Sequence, residues 1–345
     1  MESDRPKEII KLKAAVVDAI RTTMQRSGAT ESFYDKITGG TGACENVPTA
    51  FMLHNAAELS YLSQTDQLQM EREVIECGLP AVWTLGRSFR NEPRVGDGRH
   101  LAEFALLEYE ARGMDLTALI AFQQELLLVA MEVALESPII PDDHKGRLKK
   151  FIETPAPVIS YTEIVEKLAS RGVSINWGDD FSSKDEEMIC VLEDGPVQVT
   201  RYPESIKFFN MFRTNRDPRV NDAITSIAEA NKHRWTVECV DFLLPWAGET
   251  FGASQREENH DWLYTKLQES IMFKQMVDIR QQYYTEQGGE LAETTPEQVK
   301  ADAWRPFISY LRLFVDNKDV TRSGFGLGMG RLIQFLLGST SIIAF

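Results

Sequence analysis

Cysteine is the scarcest of the residues that could carry redox or metal chemistry. The four present, Cys44, Cys77, Cys190 and Cys239, lie far apart and never form C-x-x-C. That spacing excludes a zinc ribbon or a dithiol redox pair and leaves reduced structural thiols as the expectation. The five histidines make no H-E-x-x-H and no G-x-S-x-G elbow occurs, so zinc-protease and serine-hydrolase chemistry lack their residues. A G-x-x-x-x-G-K-[ST] stretch is also missing, and Gly324, Gly326, Gly328 and Gly330 do not fit G-x-G-x-x-G, which removes the P-loop and the Rossmann fingerprint. Basic charge is in deficit: 37 Lys and Arg face 52 Asp and Glu, a formal charge of −15. Such a balance disfavours non-specific attraction to polyphosphates but permits a local basic patch. The longest apolar run, LTALIAFQQELLLVAMEVAL from Leu116, is interrupted by Gln123, Gln124, Glu125 and Glu132 and followed by Glu136, so no membrane span is expected. The N-terminal MESDRPKEIIKLKAA has neither the apolar core of a secretory signal nor an Arg/Ser-rich transit composition, and a cytoplasmic location is expected.

What is present is ordinary globular sequence, 43% hydrophobic and 26% charged over 345 residues, enough for two domains or one large one. Apolar residues at Ile9, Leu12, Val16, Ile20 and Met24 predict a helix over 7–27 that Gly28 stops. Strands are expected at AVWTLG, ending at Gly86, and from Phe104 onward; Asp115 caps a buried helix over 116–135. YTEIVEKLASRG reads as a helix stopped by Gly172, and PVQVTRYP and TVECVDFLL read as strands. A polar excursion over 213–236 is expected on the surface, a single long amphipathic helix over 255–284, and a loop over 286–298. The strands are short, without clear alternation, and no βαβ cadence appears, which favours one α+β unit built on an antiparallel sheet flanked by helices.

Two segments carry chemistry. GRSFRNEPRVGDGRHLAEFALLEYE, from Gly86 to Glu110, is a charged hairpin. Guanidinium is planar, permanently charged and bidentate, so Arg90, Arg94 and Arg99 suit phosphate oxygens, while Glu92 could accept from an exocyclic amine and Phe104 could offer a stacking face. Solvated loop charges beside a core phenylalanine would explain the same residues. SGFGLGMGRLIQFLLG sets four alternate glycines before Arg331 and an apolar helix, an arrangement that lets a backbone approach a ligand and places a base at a helix start. A tight strand-to-helix packing turn is the alternative.

Together the segments resemble motifs 2 and 3 of the class II aminoacyl-tRNA synthetases, FRNE matching the former and GFGLGMGR the latter. YLSQTDQLQME, GRHLAEF and DFLLPWAGETFGASQRE extend the resemblance to the aspartyl/asparaginyl subgroup over nearly the whole chain, with WGDDFSSKDEE and RYPESIKFFNM similar to asparaginyl-type sequence. The resemblance implies a class II antiparallel sheet and ATP with Mg²⁺ as cofactors. It implies that Arg90 holds the α-phosphate and the substrate carboxylate, Glu92 the adenine amine and Phe104 the adenine face. Arg99, His100 and Arg331 would meet the outer phosphates, and Asp241 and Glu249 the magnesium. Gln67 and Glu108 would hold the amino acid, Glu108 by its ammonium, and Arg256 would read its side chain. A three-residue loop between the last two strands would pair Leu243 with Glu249 and set Asp241 and Glu249 on one face; a four-residue loop would not.

Three departures stand out. Asp35 occupies the nearest alignment to the motif 1 proline, Met70 stands where aspartyl enzymes place a lysine for the substrate carboxylate, and Gly330 replaces the acid before the motif 3 arginine. The helix matching motif 1 begins within the first ten residues, so no N-terminal OB-fold is expected. The resulting expectation is an asparagine synthetase-like, AMP-forming ligase that passes an aspartyl-type adenylate to ammonia or a small amine, as a homodimer, with tRNA an unlikely partner. A reduced asparaginyl-tRNA synthetase and a non-catalytic nucleotide- or amino-acid-binding regulator are the alternatives.

Overall fold

The computed structural model describes residues 5–40, 47–54, 59–92, 101–214, 233–317 and 320–342. The apolar stripe predicted at the N-terminus is one face of helix α1 (Arg5–Arg26), buried throughout, and Gly28 ends it at φ 80°, in the left-handed region where a β-carbon is unfavourable. Two short strands, β1 (Thr30–Glu31) and β2 (Ile37–Thr38), precede β3 (Met52–His54) and β4 (Leu59–Leu62), then helix α2 (Gln67–Glu76). The charged hairpin is β5 (Ala81–Phe89) and β6 (Glu103–Arg112), longer than the sequence suggests, with Phe89 opposite Glu103. Helix α3 (Leu116–Leu135) starts where Asp115 accepts the Ala118 N–H, as its cap position predicts. It is long and apolar enough to cross a membrane, yet Leu119, Phe122, Leu126 and Leu127 pack with the sheet in the core.

Next come helix α4 (Asp142–Glu153), strand β7 (Val158–Ser160), helices α5 (Tyr161–Ser170) and α6 (Ser183–Leu192) and strand β8 (Val197–Thr200), with Gly172 following α5 at φ 82°. A hairpin of β9 (Cys239–Leu244) and β10 (Gly248–Gln255) leads to α7 (His260–Glu269) and α8 (Ile271–Gln287). The long helix expected over 255–284 is therefore two, because Ser270 adopts an extended conformation and its side chain caps Phe273 N–H. The expected loop over 286–298 is only partly a loop: α8 runs to Gln287, Gly289–Ala292 forms one helical turn, and Pro296 begins α9 (Pro296–Asp316) behind the cap Thr295. Strand β11 (Arg322–Gly328) runs directly into α10 (Met329–Leu336).

Among the described residues the strands form an eight-stranded sheet in the order β1-β5-β6-β11-β10-β9-β8-β7 and a small sheet β2-β4-β3. The large sheet is antiparallel through its six central strands, but both edge pairs, β1 with β5 and β7 with β8, are parallel. Alternation, not evident in the sequence, governs the central strands. Trp83, Leu107, Tyr109, Phe251, Phe325 and Leu327 turn to one face and pack with α1, α3 and α10. On the opposite face α2, α7, α8 and α9 cover one apolar end and α5 and α6 the other, with Phe104 and Leu106 adding apolar surface beside the cavity. Between those ends the face carries the polar floor of that cavity. Most of the expected surface excursion, 215–232, lies outside the described residues; its root is not on the surface, since Arg213 is buried between the rings of Trp235 and Trp262, 3.9 and 4.4 Å from their centroids. Cys77, Cys190 and Cys239 are unpaired thiols, and Cys44 is not among the described residues.

Candidate functional site

Strand register builds the floor. Thr84, Glu108, Gly326, Gly252 and Asp241 oppose one another in a row across β5, β6, β11, β10 and β9. The next row contains Val82, Glu110, Gly324 and Ser254. In the first row carboxylates stand at Glu108 and Asp241, and the two positions between them carry no side chain. Three interstrand steps separate those carboxylates, about 14 Å at the ordinary strand spacing. The floor is thus an open trough with an acidic group at each end. Above it lies a cavity of about 720 Å³, lined by Gln67, Arg90, Glu92, Phe104, Glu108, Asp241, Glu249, Arg256 and Arg331. Every described residue predicted for the site meets there, from three strands, two helices and the segments just after β5 and β10; Arg99 and His100 lie outside the described residues.

At one end Glu108 accepts two hydrogen bonds from the Asp66 N–H, at 2.9 and 3.1 Å, and one from the Thr65 hydroxyl. Burial, then the nearby Asp66 carboxylate, pushes its pKa up to about 8 despite those donors. Lys36 in turn pairs with Asp66, and Gly86 leaves the space for that pair: a β-carbon there would come within 2.8 Å of the Lys36 ammonium. Beside Glu108, Arg256 is not an unmatched cation. Its Nη2 donates to Glu110 at 2.9 Å, its Nε to the same carboxylate at 3.2 Å, and its Nη1 to Ser254 at 2.7 Å. Arg322, wholly buried, is a second cation at this end. Arg322 grips Glu71 through Nε at 2.8 Å and Nη2 at 2.7 Å. Tyr310, Asn210 and Gln67 also donate to Glu71, at 2.9, 3.0 and 2.9 Å. Burial works to raise Glu71, but the guanidinium charges of Arg322 and Arg256 outweigh it and hold it below the usual carboxylate range. This end is a buried set of two arginines paired with two glutamates, in which burial pushes Glu110 up to about 7 although the Arg256 charge beside it opposes the shift. Met70, buried against the core, adds no cation.

The glycines of β11 have different duties. A β-carbon on Gly324 would overlap the Glu110 carboxylate and the Tyr109 carbonyl, so this glycine makes room for the Arg256–Glu110 pair rather than for a ligand. On Gly326 it would meet only Leu106, at an ordinary 3.5 Å, and this position faces the cavity. Gly330 explains the missing acid of its motif: its absent β-carbon is replaced by Ile342, whose Cδ1 would lie 2.7 Å away.

Toward the hairpin end of β6 the Arg90 guanidinium lies over the Phe104 ring, 5.4 Å from its centroid. Arg90 Nε is buried without a hydrogen-bond partner among the described residues, a cost of about 1–3 kcal/mol that a bound acceptor would remove. At the far end the β9–β10 loop is the three residues Pro245–Ala247, and Leu243 opposes Glu249, so Asp241 and Glu249 do share a face. A bulge after Glu249 then sets Gly252 opposite Asp241; Glu249 leans over Gly252, whose β-carbon would come 2.6 Å from Oε1. Glu186 of α6, within reach of the Glu249 N–H at 3.3 Å, is pushed up to about 7 by burial and then by Glu249. Asp241 likewise rises to about 7 through burial, although Lys207, 2.6 Å away, opposes the shift. Arg331 donates to the Glu249 carbonyl. The carboxylate oxygens of Asp241 and Glu249 are the hard donors that Mg²⁺ takes one or two at a time, with phosphate oxygens and water completing the shell. Among the described residues no three acidic, histidine or cysteine side chains gather tightly enough to hold an ion alone.

Sequence reasoning missed Glu71, Glu110, Arg322, Lys207 and Glu186. Glu71 and Glu110 carried a local signal, being four residues after Gln67 on a helix and two after Glu108 on a strand.

Residues 1–345 match the family described as tRNA synthetases class II (D, K and N). The asparagine–tRNA ligase of Pyrococcus abyssi is 34% identical over 278 residues, 79% of this chain and 59% of that protein. The asparagine–tRNA ligase of Thermococcus kodakarensis is 31% identical over 343 residues, 98% of this chain and 67% of that protein. The asparaginyl-tRNA synthetase of Pyrococcus horikoshii, solved with asparaginyl-adenylate, superimposes with a TM-score of 0.76 at 31% identity, covering 98% of this chain and 67% of that one. The chain therefore spans 59–67% of the length of these relatives.

Proposed function

This chain belongs to the class II tRNA synthetases of the D, K and N family, and we propose that it condenses asparagine with ATP to asparaginyl-adenylate and transfers the asparaginyl group to tRNA. The observation that carries the reading is the two-ended trough: a buried carboxylate at Glu108, the Arg90 guanidinium whose buried Nε has no hydrogen-bond partner among the described residues, and the Asp241–Glu249 pair with Arg331 beyond it, in one cavity. An amino-acid carboxylate held beside Arg90 attacks the α-phosphorus of ATP in line, a P–O bond to the carboxyl forms, and pyrophosphate leaves with the bond's electrons. Arg90 serves both reacting groups, because its guanidinium can hold the carboxylate and an α-phosphate oxygen together and so removes much of the entropic cost of bringing two anions into contact. Phe104 gives the adenine an apolar face, Glu92 an acceptor for its amino group, and Arg331 a charge for the departing phosphates. Bound Mg²⁺, carried by Asp241 and Glu249, would add charge neutralisation to the triphosphate.

Because Arg256 is already paired with Glu110 and Arg322 with Glu71, the pocket favours an amide side chain, which can both donate and accept, over a carboxylate, which would have to compete with a glutamate for its cation. Asparagine therefore takes precedence over the aspartate expected from sequence, and tRNA over ammonia as acceptor, in line with the similarity to asparagine–tRNA ligases. The test is product analysis. With ATP, asparagine and tRNA, AMP and asparaginyl-tRNA should accumulate. Formation of free asparagine from aspartate and ammonia, with no charged tRNA, would restore the amide-ligase reading. ADP as the nucleotide product would refute adenylate formation in either.

A further inference from the structure

Lys207 takes no part in the chemistry above, yet it occupies the position where that chemistry needs a metal. It follows the 3-10 turn Glu204–Ile206, which is pinned by Glu204 pairing with Arg213 at 2.7 Å and with Lys266 at 3.0 Å. The Lys207 side chain is 11% exposed, its ammonium 2.6 Å from Asp241 Oδ2 and 4.0 Å from the Tyr202 ring centroid. The charges that act on it and around it are Asp241, Glu249 and Asp180, with Glu186 adding to Asp241 and Glu249. Four carboxylates therefore crowd one wall of the cavity, and Lys207 and Arg331 are the cations that line it with them. Burial alone would lower the lysine's pKa, but the Asp241 carboxylate outweighs burial and keeps it charged.

A permanently charged ammonium in contact with Asp241 and a divalent ion on the same carboxylate repel each other at close range in a site of low dielectric. Both cannot hold Asp241 at full strength. A nucleotide changes the balance, since its phosphate oxygens offer the ammonium a new partner of higher charge. We propose that Lys207 is a resident counter-ion: it holds Asp241 while the site is empty of nucleotide, and it passes to a phosphate oxygen when ATP and the divalent ion enter together. The hand-over rests on the nucleotide-binding reading of this end; the counter-ion role does not. Its consequence is an order of binding, with the free ion excluded until the triphosphate arrives.

The experiment titrates free Mn²⁺ into the full chain without nucleotide or amino acid, reading unbound ion by electron paramagnetic resonance. The wild-type protein should bind Mn²⁺ weakly. Lys207→Gln and Lys207→Met, each checked for an unchanged melting profile, should bind it at least about tenfold more tightly. Lys207→Arg, which keeps the charge, should resemble wild type, and adding Asp241→Asn to Lys207→Gln should cancel the gain. Equilibrium dialysis of MgATP should show the opposite, at least about tenfold weaker binding by Lys207→Gln. Mn²⁺ binding by the neutral variants no tighter than by wild type would overturn the counter-ion. Failure of wild type to bind MgATP would refute the nucleotide reading and the hand-over with it, while leaving the Mn²⁺ result to decide the counter-ion alone.

Discussion

Glu108 is the residue on which amino-acid recognition turns. Burial beside Asp66 raises its pKa to about 8, so in the empty pocket at neutral pH it is mostly the uncharged acid, and an ammonium must find it ionised. The sign follows. Below that pKa each binding event must expel a proton, and affinity falls as pH falls; above it the carboxylate is already formed and a further rise in pH brings no gain from Glu108. The apparent Kd for asparagine, measured by calorimetry between pH 6 and 9, should improve by about tenfold per pH unit at the acid end and level off above the pKa of Glu108. Glu108→Gln should bind more weakly at every pH and lose the slope. A wild-type affinity flat across the range would mean that Glu108 is not the ammonium's partner.

At the scale of elements, β11 shows how one glycine run serves different ends. Gly324→Ala forces a β-carbon into the Tyr109 carbonyl and the Glu110 carboxylate, breaking the Arg256 pair and leaving a buried charge mismatched, which should cost at least about 3 kcal/mol of stability. Gly326→Ala meets only Leu106 at contact distance and should change the melting temperature little, while its methyl group enters the trough and weakens adenylate formation. Thermal melts paired with activity separate the two; equal loss of stability in both variants would contradict this division. The run's existence was legible because it is local, and so were Arg90, Glu92 and Phe104 on their hairpin. The Asp241–Glu249 relationship was legible through parity alone, once the loop is three residues long. What binds those residues was not. Arg322 meets Glu71 across 251 residues of sequence and Asn210 meets it across 139, and nothing in a periodic pattern announces such a pairing. The break at Ser270 was hidden for another reason: the apolar period of α7 continues into α8, and a single capping serine decides the boundary. The parallel edge pairs escaped because β1 and β7 are two and three residues long, too short to show any period.

Over the whole molecule the sheet divides the work. One face is a continuous apolar core under α1, α3 and α10, and the other carries a trough about 14 Å between its two carboxylate ends, set by strand spacing rather than by loops. A rigid floor suits a reaction that must hold two anions in line, and the formal charge of −15 makes the local arginines all the more necessary for a polyphosphate to enter. The central claim is that this trough joins asparagine to the α-phosphate of ATP. Amino-acid-dependent exchange of labelled pyrophosphate into ATP, without tRNA or ammonia, measures that step by itself. Exchange driven by asparagine, at least about tenfold weaker with aspartate and lost in Arg90→Ala, is the predicted result; no exchange with asparagine, or exchange that survives Arg90→Ala unchanged, would contradict the account.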